Sequence, residues 1–305
     1  MRLQTEQNNA DHIDQAAQYK IFVEGKPNDI GIDAVVIREL LRNNRLSHIE
    51  VIQMNSCENV RNAAHALIKA HPHYYFLIDR DDRSLETVES SWRDFPNPEK
   101  QNMLIWRKRE LENYFLAPNY LVLSTFLKVT PEQLKQEILE TCKRRFYLDA
   151  ANLTLMSIGK EIRQLFKIPG FFKEVTDFKN QKNGEQQLDA AISPKLQVMT
   201  DNIDSERQES FIQKRYCAFI AELSGGVFPL EYGHGTWLER MSGKEIFHDI
   251  ANNCFEVTTA NKVILHGEPQ YKEIVKSLLK LPLEQQPEDF QALVGLLKRQ
   301  SGSIY

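Results

Sequence analysis

The chain is 305 residues long, 42% hydrophobic and 26% charged, which is the balance of a folded globular protein. Lys and Arg number 38 against 42 Asp and Glu, a formal charge of −4. That excludes a chain that coats nucleic acid through bulk charge, while leaving room for a local basic groove.

Residues 1–18 form a polar leader with no apolar signal core. No apolar stretch approaches the roughly 20 residues needed to span a bilayer. Tyr19 to Glu24 reads as a strand, and residues 29–43 as a helix with Ile32, Val35, Val36, Leu40 and Leu41 on its buried face. Ile49 to Met54 is a second strand. Asn55-Ser56 caps a helix running to Ala70. Tyr74 to Ile78 is a third strand and Met103 to Trp106 a fourth, with Arg83 to Gln101 between them as a loop or short helix. This alternation predicts an α/β fold, a mostly parallel sheet flanked by helices. Beyond it, helices are expected over Glu110–Leu127, Pro131–Tyr147, Leu153–Phe166 and Ser205–Leu223. The polar run Lys173–Ser205 is expected to be loose, and helices return over Gly243–Asn253, Tyr271–Leu281 and Gln286–Lys298. The expected division is a leader (1–18), an α/β core (19–127), a helical insertion (128–235) and a helical C-terminal return segment (236–305).

Cys57, Cys142, Cys217 and Cys254 are scattered, with no Cys-x-x-Cys pair, so neither a zinc site nor a disulfide framework is expected. A reducing, cytoplasmic location is the simplest expectation. The histidines show no ligand spacing either.

The chemistry concentrates at two strand ends. The first strand stops at Glu24-Gly25 and the third at Asp79-Arg80-Asp81-Asp82. Parallel neighbours would bring these acids together at the carboxyl edge, where open α/β sheets bind ligands. Crowded carboxylates repel unless a cation holds them, and hard oxygen donors call for Mg²⁺ or Mn²⁺. Asp-x-Asp after a strand also occurs in haloacid-dehalogenase phosphatases, and acidic pairs with a distant Lys in response-regulator receivers. The phosphatase pattern wants its acids on the first strand, and the receiver pattern wants the Lys closer in sequence.

Glu24-Gly25 with Asp79-Arg80-Asp81 resembles the Toprim metal-binding signature. Glu112-Asn113-Tyr114 and Ser242-Gly243-Lys244 resemble further motifs of the overcoming-lysogenization-defect (OLD) branch and its stand-alone relatives. The resemblance implies a Toprim fold with a helical insertion, and Glu24, Asp79, Asp81 and Glu112 as metal ligands. It implies catalytic roles for Glu24, Asp79, Asp81 and Lys244, with two cations roughly 4 Å apart flanking an in-line displacement. Family members carry another acid four residues after the first Glu. Here Asn28 stands there, and Asp29 is preferred over Asn28 or Asp33 for that place.

Two basic triplets adjoin aromatics: Arg107-Lys108-Arg109 beside Trp106, and Lys143-Arg144-Arg145 beside Phe146 and Tyr147. Each reads either as a solvated face or as a nucleic-acid-binding rim that grips phosphates and stacks unpaired bases. Ser242-Gly243-Lys244-Glu245 lacks the glycines and hydroxyl of a P-loop. For an OLD-like Toprim this implies that any ATPase is a separate chain, an arrangement similar to the PARIS anti-phage system. That resemblance implies an abortive-infection toxin held inactive by an ABC-type ATPase. Release would let it form a homodimer and cut host tRNA. The alternatives are a DNase acting on phage DNA, and a non-catalytic Toprim-derived adaptor that binds an ATPase or nucleic acid.

Overall fold

Four short apolar runs build one parallel sheet: β1 (Lys20–Val23), β2 (Glu50–Gln53), β3 (Tyr74–Ile78) and β4 (Met103–Ile105), in the order β2-β1-β3-β4. The computed structural model describes residues 19–25, 31–100, 102–165 and 209–300, with scattered positions between 186 and 201. The leader and Asp29 lie outside the described residues, as does most of the Lys173–Ser205 run. Among the described residues, no helix is long and apolar enough to cross a membrane.

β1 and β3 pair in register, Lys20 with Tyr74, Ile21 with Tyr75 and Phe22 with Phe76, and the Phe22 and Phe76 rings stack at 4.9 Å. Ile21, Phe22, Val23 and Tyr75 through Ile78 are all buried. These strands thus read as continuous apolar runs because helices cover both faces, the usual state of a parallel sheet. The polar residues that follow each strand mark where the cover ends.

Helices α1 (Ile32–Asn43), α2 (Cys57–Leu67) and α3 (Leu85–Asp94) connect the strands. Ser56 caps α2 by accepting from the Asn59 N–H, and Ser84 caps α3 by accepting from the Thr87 N–H. The segment expected as a loop or short helix is therefore a ten-residue helix. The helix expected over Glu110–Leu127 is instead a 3₁₀ turn, Leu111–Leu116, followed by α4 (Pro118–Leu121). Ala117 is extended ahead of Pro118 (ψ 115°), which ends the turn.

α5 (Pro131–Leu165) is one helix where two were expected, since no Gly or Pro interrupts Leu148 to Asn152. The chain divides into two compact units, residues 1–144 with 236–305, and residues 145–235. The second unit holds the end of α5 and α6 (Glu209–Ser224), with Phe146, Leu153, Leu223 and Leu230 buried. Within it Arg145 pairs with Asp149 at 3.3 Å, and Phe146 packs against Phe228.

The return segment of the first unit comprises α7 (Trp237–Arg240), α8 (Gly243–Cys254), a small antiparallel pair β5 (Val257–Thr258) and β6 (Ile264–Leu265), α9 (Glu268–Leu279) and α10 (Glu288–Gln300). α9 packs on α1, where Asn43 Nδ2 donates to Leu279 O at 2.7 Å. α8 packs on the Leu111–Leu116 turn, and Phe290 of α10 seals Trp106 and Tyr114 at 5.7 and 5.0 Å. The last strand, the turn and the return helices thereby share one core.

Candidate functional site

Because β1 and β3 are parallel neighbours, Glu24 and Asp79 emerge side by side. The Asp79 N–H donates to Glu24 Oε1 at 3.2 Å. Gly25 has φ +118°, and a Cβ there would stand 2.5 Å from Gln53 Nε2 on β2, so glycine lets the chain turn against the sheet edge. Burial raises the Glu24 pKa, opposed by backbone hydrogen bonds from Asp79 and Cys57.

Two further acids converge. Asp33, in the first turn of α1, is pushed up to about 7 by burial and then by the Glu24 carboxylate, with Lys244 pulling the other way. Glu112, in the 3₁₀ turn, is pushed up to about 8 by burial and by Asp33. Burial also holds the Asp79 carboxyl well above the usual range, with Asp33, Glu112, Glu24 and Asp81 adding to the shift. Each of these groups raises the cost of ionising another.

Lys244 reaches this cluster from the start of α8. Its N–H donates to Glu110 Oε2 at 2.8 Å, and Ser242 Oγ approaches the same oxygen at 3.4 Å. A Cβ on Gly243 would lie 2.4 Å from Asn113 Oδ1, so the helix start is pressed directly onto the Glu110–Asn113 turn. Asn113 is fully buried and its Nδ2 donates to Leu238 O and Met241 O at 2.9 and 3.0 Å. Thus Glu112-Asn113 and Gly243-Lys244, far apart in sequence, form one joint. A cavity of about 540 Å³ opens over it, lined by Gly25, Asp33, Asn55, Glu112, Lys244 and Tyr271 among others.

Asp81 lies close enough to Glu24 and Asp79 to raise both, but its own carboxylate is 3.1 Å from Arg83 Nη1. Asp33, the less favoured of the acids considered after Glu24, is the one the described structure brings into the cluster. Its signal was a polar residue inside the apolar period of α1.

The donor chemistry fits a hard divalent cation. All candidate donors are carboxylate oxygens, and Asp79 Oδ1 is buried with no hydrogen-bond partner. Among the described residues, no group of three or more His, Cys, Asp or Glu side chains is arranged to hold a metal ion. Glu24, Asp33, Asp79 and Glu112 are the residues that would hold one.

The basic triplets are tied into the fold. Arg107 pairs with Glu89 at 2.8 Å and with Asp289, and lies 4.2 Å from the Trp92 ring centre. Lys108 donates to Asn113 O at 3.1 Å, and burial lowers its pKa. Arg109 is buried, with Nη1 donating to Arg240 O at 3.3 Å and Nε 3.5 Å from Glu110. On α5, Lys143 pairs with Glu140, Arg144 with Glu137, and Arg145 with Asp149.

The fold is α/β, with a four-stranded parallel sheet flanked by helices and a carboxylate cluster at its carboxyl edge. Comparison with known proteins finds no matching family model, no matching curated protein and no matching solved structure.

Proposed function

We propose that the chain is a Toprim-type, divalent-metal-dependent phosphodiester hydrolase. The observation that carries this reading is the convergence of Glu24, Asp33, Asp79 and Glu112, with Lys244, at the carboxyl ends of two adjacent parallel strands. Partly buried acids that repel one another are costly to retain in a fold unless a cation or a reaction uses them.

Glu24, Asp33, Asp79 and Glu112 would hold Mg²⁺ or Mn²⁺, which would supply Lewis acidity toward the phosphate. Glu24 accepts the proton of the attacking water as its oxygen bonds to phosphorus. The bond from phosphorus to the leaving sugar oxygen breaks, and that oxygen takes a proton from solvent. Lys244 offsets negative charge on the phosphate as the displacement proceeds. Glu110 and Asn113 hold Lys244 over the cavity, through the bonds that fix the start of α8.

Nucleic acid is the substrate class, and host tRNA the favoured member. The tRNA, the ABC-type ATPase partner, the homodimer and the anti-phage role all rest on the motif resemblance to OLD-like Toprim effectors. The test is purified chain with Mg²⁺, given tRNA in one arm and plasmid DNA in the other. Cleavage of tRNA is expected, and Glu24→Ala should remove it while leaving the chain folded. Cleavage of plasmid alone moves the substrate to DNA. Equal cleavage by Glu24→Ala overturns the assignment.

A further inference from the structure

The loop from Asp79 to Arg83 joins β3 to the capped start of α3 and carries both acids of the Asp-x-Asp motif. Its backbone is unusual at Asp81, where φ is +49°, a left-handed conformation that L-residues adopt reluctantly. Something must hold it. Asp81 N–H donates to Arg109 O at 3.1 Å, and Arg83 N–H donates to Arg80 O at 3.0 Å.

The densest set of contacts comes from the Arg83 side chain, which is only 16% exposed. Its Nη1 faces three loop oxygens at once: Asp79 O at 2.9 Å, Arg80 O at 3.2 Å and Asp81 Oδ2 at 3.1 Å. Its Nη2 points the other way, to Cys57 Sγ at 2.9 Å, in the first turn of α2. The Cys57 backbone N–H in turn donates to the Glu24 carboxylate. One planar guanidinium therefore ties the Asp79–Asp81 loop to the helix start that also holds Glu24.

We infer that Arg83 is a positioning residue that sets Asp79 and Asp81 against Glu24. The inference rests on the reading of these acids as a divalent-cation site. A lysine keeps the charge but has one nitrogen, which cannot face the loop oxygens and the thiol on opposite sides together. Arg83 touches no reacting atom in this scheme and acts through the loop alone.

The experiment uses the full chain with Cys217→Ser, which removes the exposed thiol, and compares it with the same chain carrying Arg83→Lys. Mn²⁺ affinity is measured by titration calorimetry. In metal-free protein, the labelling rate of Cys57 by a thiol reagent and hydrogen exchange of amides 79–83 are followed. Arg83→Lys should weaken Mn²⁺ binding about 10- to 100-fold, the usual cost of losing an outer-shell partner. Cys57 labelling and loop exchange should both rise while the melting temperature stays near the parent value. Unchanged Mn²⁺ affinity with unchanged labelling and exchange overturns the inference. If the parent binds no Mn²⁺, the metal-site reading fails, and with it the positioning role toward a metal. The metal-free arms then still report whether Arg83 locks the loop. If Arg83→Lys does not fold, Cys57→Ala removes the far anchor of the same guanidinium. A smaller loss of Mn²⁺ affinity and faster exchange over 79–83 are then expected, and parent-like values for both overturn the inference.

Discussion

The two ends of the same sheet treat charge in opposite ways. At the amino ends, Lys20 Nζ meets Glu50 Oε2 at 2.9 Å across the β1–β2 pair and lies 5.8 Å from the Tyr74 ring centre. The hydrogen bond to Glu50 raises the Lys20 pKa, and Tyr19 packs against His73 at 4.9 Å. At the carboxyl ends, Glu24, Asp33, Asp79 and Glu112 raise one another, and Asp79 Oδ1 has no hydrogen-bond partner. Neighbouring residues of the same strands thus satisfy charge at one edge and accumulate it at the other. Local consistency marks the edge that serves folding, and its violation marks the edge where function is to be sought.

This contrast can be broken from the acidic end first. Glu112→Gln removes one candidate ligand and one source of repulsion together. Hydrolysis should fall roughly 100-fold or more, as expected when a general acid–base or ligand group is lost. The metal-free melting temperature at pH 8.5 should rise by about 3 °C. An equal fall in activity and stability would show that Glu112 serves packing instead.

A change of pH should separate the ends without mutation. Asp33 and Glu112 have folded pKa values of about 7 and about 8, above the ordinary carboxyl range. Between those ranges the folded chain binds more protons than the unfolded one, so stability falls as pH rises. The favourable contribution is complete below about pH 4 and is lost as pH climbs through 7 to 8. Metal-free protein should therefore melt about 5 °C lower at pH 8.5 than at pH 5.5, and Mg²⁺ should restore the loss only at the higher pH. Calorimetric melts at both pH values, with and without Mg²⁺, provide the check. A melting temperature that is flat or rising with pH would remove the strained-acid picture.

The smallest effect belongs to the paired edge. Lys20→Met should cost roughly 0.2–1 kcal/mol, because the pair is partly exposed and screened. It should leave Mg²⁺ binding unaltered. Chemical denaturation measures the first and calorimetry the second, and a large loss of Mg²⁺ affinity would mean that the edges are coupled.

The strands were legible because each is a contiguous apolar run, and Glu24 and Asp79 were legible because they end those runs. Other features depend on contacts remote in sequence. Arg107, Lys108 and Arg109 read either as a solvated face or as a phosphate-gripping rim, and only the fold shows them bonded to Glu89, Asp289, Glu110 and the carbonyls of Asn113 and Arg240. Glu110 reads only as the first residue of an expected helix, and its role in holding the Lys244 backbone requires a partner 134 residues away. The helix expected after Glu110 failed for a local reason, since Ala117 must be extended before Pro118.

By itself the sequence determined the alternation of strands and helices, and the two acidic strand ends. Both follow from apolar periodicity and from abrupt polarity changes within a few residues. Only the tertiary structure decided that β1 and β3 are neighbours, that Asp33 and Glu112 join Glu24 and Asp79, and that Arg83 clasps their loop. Those choices depend on strand order and on helix ends meeting across the fold. Burial and electrostatic repulsion act on distances in space, which spacing along the chain does not encode.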